Sequence, residues 1–252
     1  MKKAFTLAEV LITLGIIGVI AALTLPGLIQ GYRKKVTETA LKKAYTQLYQ
    51  ALEQAQTDNG EAINWNWEDY QTYDRDSAEA FLQEYFYPYF NIIGRSAVQQ
   101  HKDKLKYVIY NFNDDYSGDP NWFWNNPQLT NWAELSDGSV ISFVLKNTNT
   151  NTTAFGQFNV ILSSNKNPKR LISGKDVFAF YLGKNPNNSQ VTITPSGSIN
   201  YNCEDLKNNR NDFIKGCKGE SVNASGIISS IYCTSLIYCN NWKIPKDYPL
   251  RI

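Results

Sequence analysis

The sequence has little of what an enzyme or a nucleic-acid-binding protein usually carries. Its 252 residues include one histidine, His101, in the polar segment 99–104, which is typical of solvated surface rather than of a catalytic base. It contains no G-x-S-x-G, G-x-x-x-x-G-K-[ST] or H-E-x-x-H sequence. The formal net charge of +2 is too small to attract nucleic acid strongly. We therefore expect a protein that is not an enzyme, needs no cofactor and has no strong affinity for nucleic acid.

Cysteine is absent from most of the chain and occurs only in its last fifth. The four residues are Cys203, Cys217, Cys233 and Cys239. An even number clustered in this way is typical of disulfide bonds in an exported region, with three possible connectivities. We favour Cys203–Cys217 with Cys233–Cys239, because both loops are then short. A zinc site is the alternative, but the sequence has no C-x-x-C pair and its histidine is far away.

Charge is also absent from residues 10–32, and residues 10–29 form an almost wholly apolar run. A helix of this length extends about 30 Å, enough to cross the hydrocarbon layer of a membrane. Glu9 stands at the head of the run. A carboxylate costs about 2.5–3.5 kcal/mol at the bilayer centre and less near its edge, so Glu9 indicates a function. An ordinary uncleaved membrane anchor is the simpler alternative.

The amino-terminal residues 2–11, KKAFTLAEVL, closely resemble the class III signal of type IV pilins and type II secretion pseudopilins. The resemblance implies that a prepilin peptidase cuts between Ala4 and Phe5 on the cytoplasmic side and methylates the new amino terminus. Ala4 departs from the glycine that most family members have there, but it is also small. Gly18 and Pro26 fall where type IV pilins carry helix-weakening residues.

The same resemblance implies a role for Glu9 and a set of partners. Its carboxylate would pair with the amino group of Phe5 on a neighbouring subunit, which would select one register of docking; the alternative is a pair within one chain. The implied partners are other pilin-like subunits, the prepilin peptidase, a motor ATPase and a membrane platform protein. Residues 241–249 are also similar to the tail of a group of bacterial prepilin-type proteins.

The charges that flank the apolar run conflict with this family's topology. Lys2 and Lys3 precede it, whereas Arg33, Lys34 and Lys35 follow it, so the positive-inside rule alone would place the large domain in the cytoplasm. The cysteines and the resemblance favour the opposite orientation, in which a single-pass protein of the bacterial inner membrane carries an extracytoplasmic domain. The three later charges then form a solvated helix face whose side chains reach the headgroups. Assembly would produce a periplasmic or cell-surface filament.

Beyond Pro26 the pattern is that of an amphipathic helix. Apolar residues recur at helical spacing, and Asn59-Gly60 is a helix stop signal; these residues are Val36, Leu41, Tyr45, Leu48 and Leu52. We predict one helix from Phe5 to Asp58, about 80 Å long. Pro26 predicts a kink in it, which a filament could use to extend the helix locally.

The rest of the chain predicts an antiparallel sheet packed against the second half of this helix, an α+β fold of pilin-like arrangement. A capping box at Asp76–Glu79 predicts a second helix that runs to Tyr87 and ends at Pro88. The turn Asp137-Gly138 predicts a hairpin. The predicted strands are Leu105–Phe112, Ala133–Leu135, Ser139–Leu145, Phe155–Leu162, Asp176–Leu182 and Gln190–Thr194.

These patterns divide the chain into five parts. They are a leader (1–4), a transmembrane and polymerisation helix (5–30), the amphipathic half of the helix (31–59), a globular α+β domain (60–200) and a loop-rich cysteine-containing region (201–252).

Two further features leave other functions open. The acidic run 113–119 could bind calcium, although it lacks the EF-hand spacing and is more typical of a solvated turn. The aromatic groups 122–124 with Trp132, and Trp65 with Trp67, could stack on sugars if exposed, but such residues usually fill a core. The alternatives are thus a permanently anchored protein that binds carbohydrate or another surface ligand, and a minor pilin for DNA uptake.

Overall fold

The computed structural model describes residues 6–72, 74–96, 109–110, 131–146, 154–162, 171–185, 188–195, 202–218, 232–250 and 252. Its first element is α1 (Leu7–Asn59), a helix of 53 residues, or about 80 Å. The helix continues through Pro26 and ends where Gly60 takes a φ of +80°. The prediction of a single long helix is confirmed, and its predicted ends, Phe5 and Asp58, lie within two residues of the observed ones. The kink at Pro26 stays a prediction.

The two halves of α1 have different surroundings. The first half is exposed along nearly its whole length, with a mean hydropathy of 2.3 over an 18-residue window. The second half buries one stripe, at the three- and four-residue spacing of a helix face. The buried residues are Thr37, Glu38, Leu41, Ala44, Leu48, Ala51, Leu52 and Ala55. The domain therefore holds only the second half of α1.

The strands form an antiparallel sheet with one small parallel pair beside it. They are β1 (Ile92–Ser96), β2 (Ile109–Tyr110), β3 (Trp132–Leu135), β4 (Val140–Leu145), β5 (Ala154–Ile161), β6 (Leu171–Ile172), β7 (Val177–Lys184) and β8 (Val191–Pro195). The six-stranded sheet has the order β1-β3-β4-β5-β7-β8, with antiparallel neighbours throughout. β2 pairs with β6 in parallel.

The strand predictions are largely confirmed. The hairpin of β3 and β4 turns at Asp137-Gly138, where Gly138 has a φ of +81°. β5, β7 and β8 lie within one or two residues of their predicted bounds. β2 lies inside the predicted strand Leu105–Phe112, the rest of which is outside the described residues. β1 and β6 were not predicted.

One face of the sheet packs against α1. The predicted α+β fold is therefore confirmed. Ala44 and Leu48 of α1 face Leu135, Ile141 and Val160 of the sheet. Further along the same face, three buried phenylalanines from adjacent strands lie in register and fill the space beneath the helices; these are Phe143, Phe158 and Phe180.

The second helix, α2 (Arg75–Tyr85), begins earlier than its predicted capping box. Its cap is Asp74, whose carboxylate accepts a hydrogen bond of 2.7 Å from the backbone N–H of Ser77. Asp76 instead pairs with Arg75 at 2.7 Å. The prediction was wrong because both acids can cap a helix and only Asp74 has the extended backbone that a cap requires. Pro88 lies in a short 3₁₀ turn after α2.

The described part of the carboxyl-terminal region has three short helices where a loop-rich structure was predicted. It contains α3 (Cys203–Asn208), α4 (Arg210–Lys218) and α5 (Cys233–Tyr238). The disulfides are Cys203–Cys239 and Cys217–Cys233. The favoured local pairing was wrong because α4 packs against α5. This packing brings Cys217, at the end of α4, to Cys233, at the start of α5, so Cys203 pairs with Cys239. All four cysteines are thus bonded to one another and cannot bind zinc.

Candidate assembly surface

Glu9 lies in the first turn of α1 and already has hydrogen-bond partners in its own chain. Its Oε2 accepts from the backbone N–H of Thr6 at 2.8 Å and from the Thr6 hydroxyl at 2.9 Å. The backbone N–H of Glu9 donates to the Thr6 hydroxyl at 3.3 Å. These bonds form a capping box, a role for Glu9 that the sequence analysis missed although Thr-x-x-Glu is its known pattern. A carboxylate has about four acceptor sites, so one that receives two bonds can still accept another partner.

The rest of this segment offers only apolar surface. Leu7, Leu23 and Leu28 are each more than 70% exposed, and a Cβ added at Gly15 or Gly18 would meet no other atom within 4 Å. A continuous apolar surface of this size is found where a protein contacts a membrane or another protein. Among the described residues, one helix is long and apolar enough to cross a membrane. Ala4 and Phe5, the predicted processing residues, lie outside the described residues.

Just beyond this segment, a buried carboxylate fastens the end of the chain to α1. Glu38 is 8% exposed. Its Oε1 accepts from the backbone N–H of Ile244 at 2.9 Å, and its Oε2 lies 3.1 Å from Nζ of Lys243. Glu38 lies nine residues after Ile29, or about 14 Å along the helix. The first contacts between α1 and the domain thus lie about 14 Å along the helix from the end of the apolar run.

Aromatic packing and a second ion pair secure the same tail. The ring of Tyr45 on α1 lies 4.9 Å from that of Trp242 and 5.9 Å from that of Tyr238. Burial, with the nearby Tyr238, raises the pKa of Tyr45 to about 12. Arg210 forms two hydrogen bonds of 2.6 Å with Asp247. The tail 241–249 therefore packs on α1 through Trp242 and is bonded to α4 through Asp247.

The opposite end of the domain is closed by aromatic side chains. Trp65 and Trp67 are 6% and 1% exposed, and Trp65 stacks on Tyr85 with ring centroids 4.1 Å apart. Trp132 is also buried. The core interpretation of these tryptophans is therefore confirmed. Residues 122–124, the acidic run 113–119 and the His101 segment lie outside the described residues.

In the part of the chain that the structure describes, no three residues among His, Cys, Asp and Glu are grouped to hold a metal ion.

Comparison with known proteins shows a family but not an activity. A family model described as "Family of unknown function (DUF6613)" matches residues 27–118 and 123–252. These segments make up well over half of the chain, which therefore belongs to this family. They begin after Pro26 and do not include Glu9. No curated protein and no solved structure matches the chain.

Proposed function

We propose that this member of the DUF6613 family is a structural subunit of a type IV pilus-like or type II secretion pseudopilus filament. It is inserted in the bacterial inner membrane, cut between Ala4 and Phe5 by a prepilin peptidase, methylated at Phe5 and assembled through α1. One observation carries the proposal above the rest: an acid, Glu9, stands at the head of a long apolar helix whose side chains are exposed.

The exposed apolar half of α1 supports polymerisation, because its surface can be buried both by lipid in the membrane and by neighbouring subunits in a filament. In the membrane, lipid covers the first half of α1; in a filament, copies of the same half cover one another. Both states bury the apolar surface, so the subunit can move from one to the other without exposing that surface to water. The second half of α1 is held by the domain in both states.

Glu9 supports a fixed register between neighbouring copies. Two hydrogen bonds of the capping box end on Oε2, so Oε1 of the same carboxylate can accept a partner from another copy. The amino group of a processed Phe5 on a neighbouring copy would supply the opposite charge. Breaking a buried ion pair costs about 3–5 kcal/mol, so slipped arrangements of the helices are disfavoured.

The disulfides support an extracytoplasmic domain, because such bonds persist in oxidising compartments. The filament role makes the chain the substrate of an enzyme rather than an enzyme. Its partners are other pilin-like subunits, the prepilin peptidase, an assembly ATPase and a platform protein.

The variant Glu9→Gln tests the proposal in cells that make the filament. Glutamine also completes a capping box, so the start of α1 is preserved while the charge is removed. We expect at least a tenfold loss of filaments that can be sheared from cells, by the rule that 1.4 kcal/mol is a factor of ten. The matched control is Glu53→Gln, an exposed acid on the same helix, which should assemble like the wild type. Wild-type yields from Glu9→Gln would refute the proposed role of the charge.

A further inference from the structure

Charge is divided unequally along the half of α1 that carries the domain. Between Gly31 and Lys43 there are five basic residues and one acid, Glu38, which is buried and paired with Lys243. Lys43 pairs with Asp137 at 2.7 Å. The remaining four basic residues form a group that we call the basic collar: Arg33, Lys34, Lys35 and Lys42. All are exposed except Lys34, which is half-buried.

The opposite end of the domain carries the opposite charge. Between Ala44 and Gly94 there are nine acids and one basic residue, Arg75, which is paired with Asp76. Two 3₁₀ turns, Ala62–Asn64 and Trp67–Asp69, follow α1. Five exposed acids lie in the last turn of α1, just before the first 3₁₀ turn, in the second 3₁₀ turn and in the last turn of α2. We call them the acidic cap: Asp58, Glu61, Glu68, Asp69 and Glu84.

Hydrogen bonds from aromatic side chains hold two acids of the acidic cap and the end of α1. The hydroxyl of Tyr89 donates to Asp58 at 2.8 Å, and the hydroxyl of Tyr70 donates to Glu84 at 2.6 Å. The indole N–H of Trp65 donates to the carbonyl of Gly60 at 2.9 Å, between α1 and the first turn. Asp58 and Glu84 are therefore positioned by aromatic residues that pack in the domain, and Glu61 follows directly on the anchored Gly60.

The two patches cannot neutralise each other within one chain. From Lys35 to Asp58 there are 23 residues of continuous helix, or about 35 Å. Charges are screened beyond about 8–10 Å at physiological ionic strength. Within each patch the like charges repel. A partner of complementary charge and fixed shape would relieve this repulsion at both ends.

We propose that this partner is a second copy of the chain, whose acidic cap docks on the basic collar of the first with an axial offset of about 35 Å. Because the two patches are different surfaces, the contact is heterologous and leaves a free cap and a free collar at the two ends of any chain of copies. Such a contact extends along one direction. The inference rests on the proposed filament function and names the contact that joins its globular domains.

The contact is tested by charge reversal in the full-length protein in cells. The collar variant is Lys35→Glu with Lys42→Glu, two exposed residues two helical turns apart on one face. The cap variant is Glu61→Lys with Glu68→Lys. Each should lower the filament yield by roughly tenfold, since two substitutions cancel the net charge of the collar or most of that of the cap, and the exchanged residues then face like charges. A chain with all four substitutions again has opposite charges at the exchanged positions of the two patches, with their signs swapped, and should recover most of the yield. The control reverses two exposed charges on α3, Glu204→Lys with Lys207→Glu, and should change nothing.

A second readout locates the contact directly. A carbodiimide joins a lysine to a carboxylate only when the two groups touch, so any peptide linking Lys35 or Lys42 to Glu61 or Glu68 must come from two copies. We expect such peptides in wild-type filaments, and we expect their yield to fall about tenfold when cross-linking is done in about 1 M salt, where the screening length is roughly 3 Å.

Three results would overturn the inference while leaving the filament function standing: filaments from single-patch variants at wild-type yield, no recovery in the fourfold variant, or sensitivity to the collar variant alone. The last would indicate that the collar contacts anionic headgroups instead. Correct disulfides in each variant confirm its fold. By contrast, a wild-type chain that makes no filament and keeps residues 1–4 would refute the proposed function itself.

Discussion

Replacing Glu38 with alanine is expected to release the carboxyl-terminal tail from α1 and to destabilise the domain. The carboxylate is buried and accepts a hydrogen bond of 2.9 Å from the backbone N–H of Ile244. Hydrogen bonds to a charged group contribute about 1.5–3 kcal/mol, and alanine would leave this buried N–H without its acceptor. The ion pair with Lys243 adds little, because the Lys243 side chain is 65% exposed and its charge is screened. We expect Glu38→Ala to lower the free energy of unfolding by about 2–3 kcal/mol.

Two companion variants separate the hydrogen bond from the ion pair. Glu38→Gln keeps an oxygen that can accept from Ile244 and should cost only about 1 kcal/mol. Lys243→Ala removes the cation alone and should cost about 0.5 kcal/mol. The full-length chain in detergent micelles can be unfolded with denaturant and followed by tryptophan fluorescence, since Trp242 packs on Tyr45 beside the tail. Equal losses for Lys243→Ala and Glu38→Ala would refute the assignment of the stability to the buried N–H.

Two further predictions concern the same region. Hydrogen bonds from Arg210 hold the pKa of the Asp247 carboxyl below its ordinary value, so this pair stabilises the fold above about pH 4 and loses that contribution as the pH falls through the folded pKa. In Asp247→Asn, the free energy of unfolding should therefore fall less steeply as the pH is lowered below about 4. A pH dependence equal to that of the wild type would contradict the pairing. Gly174→Ala should destabilise the domain by more than about 2 kcal/mol, because Gly174 has a φ of +82° and a Cβ there would lie 2.3 Å from Sγ of Cys233. A thermal unfolding midpoint equal to that of the wild type would refute this.

The elements predicted well from sequence are those whose signals are local. The length and apolar periodicity of α1 extend over more than ten helical turns, and Asp137-Gly138 specifies its hairpin by turn chemistry alone. α2 was placed two residues late because Asp74 and Asp76 both carry the right side chain. The choice between them depends on the backbone that precedes the helix.

The features that were missed depend on contacts distant in sequence or on very short elements. α3 and α5 have six residues each, too few to form alone, so their helical state comes from packing and from the disulfides. Disulfide connectivity follows from how α4 meets α5. The hydrogen bond between Glu38 and Ile244 joins residues 206 positions apart, so no local sequence pattern predicts it.

The candidate site was predicted in part. Glu9 stood out because an acid is rare in such a run, but its capping box with Thr6 was overlooked even though the two residues are three apart. The acidic cap is spread over α1, two turns and α2, and only their folding brings it together.

The central claim is tested most directly by the intact mass and the amino-terminal peptide of the protein taken from the membranes of its native host. The account predicts a chain that begins at Phe5 with a methylated amino group. A chain that still carries Lys2 and Lys3 would contradict it, and a permanently anchored protein with an extracytoplasmic binding domain would then be the better explanation.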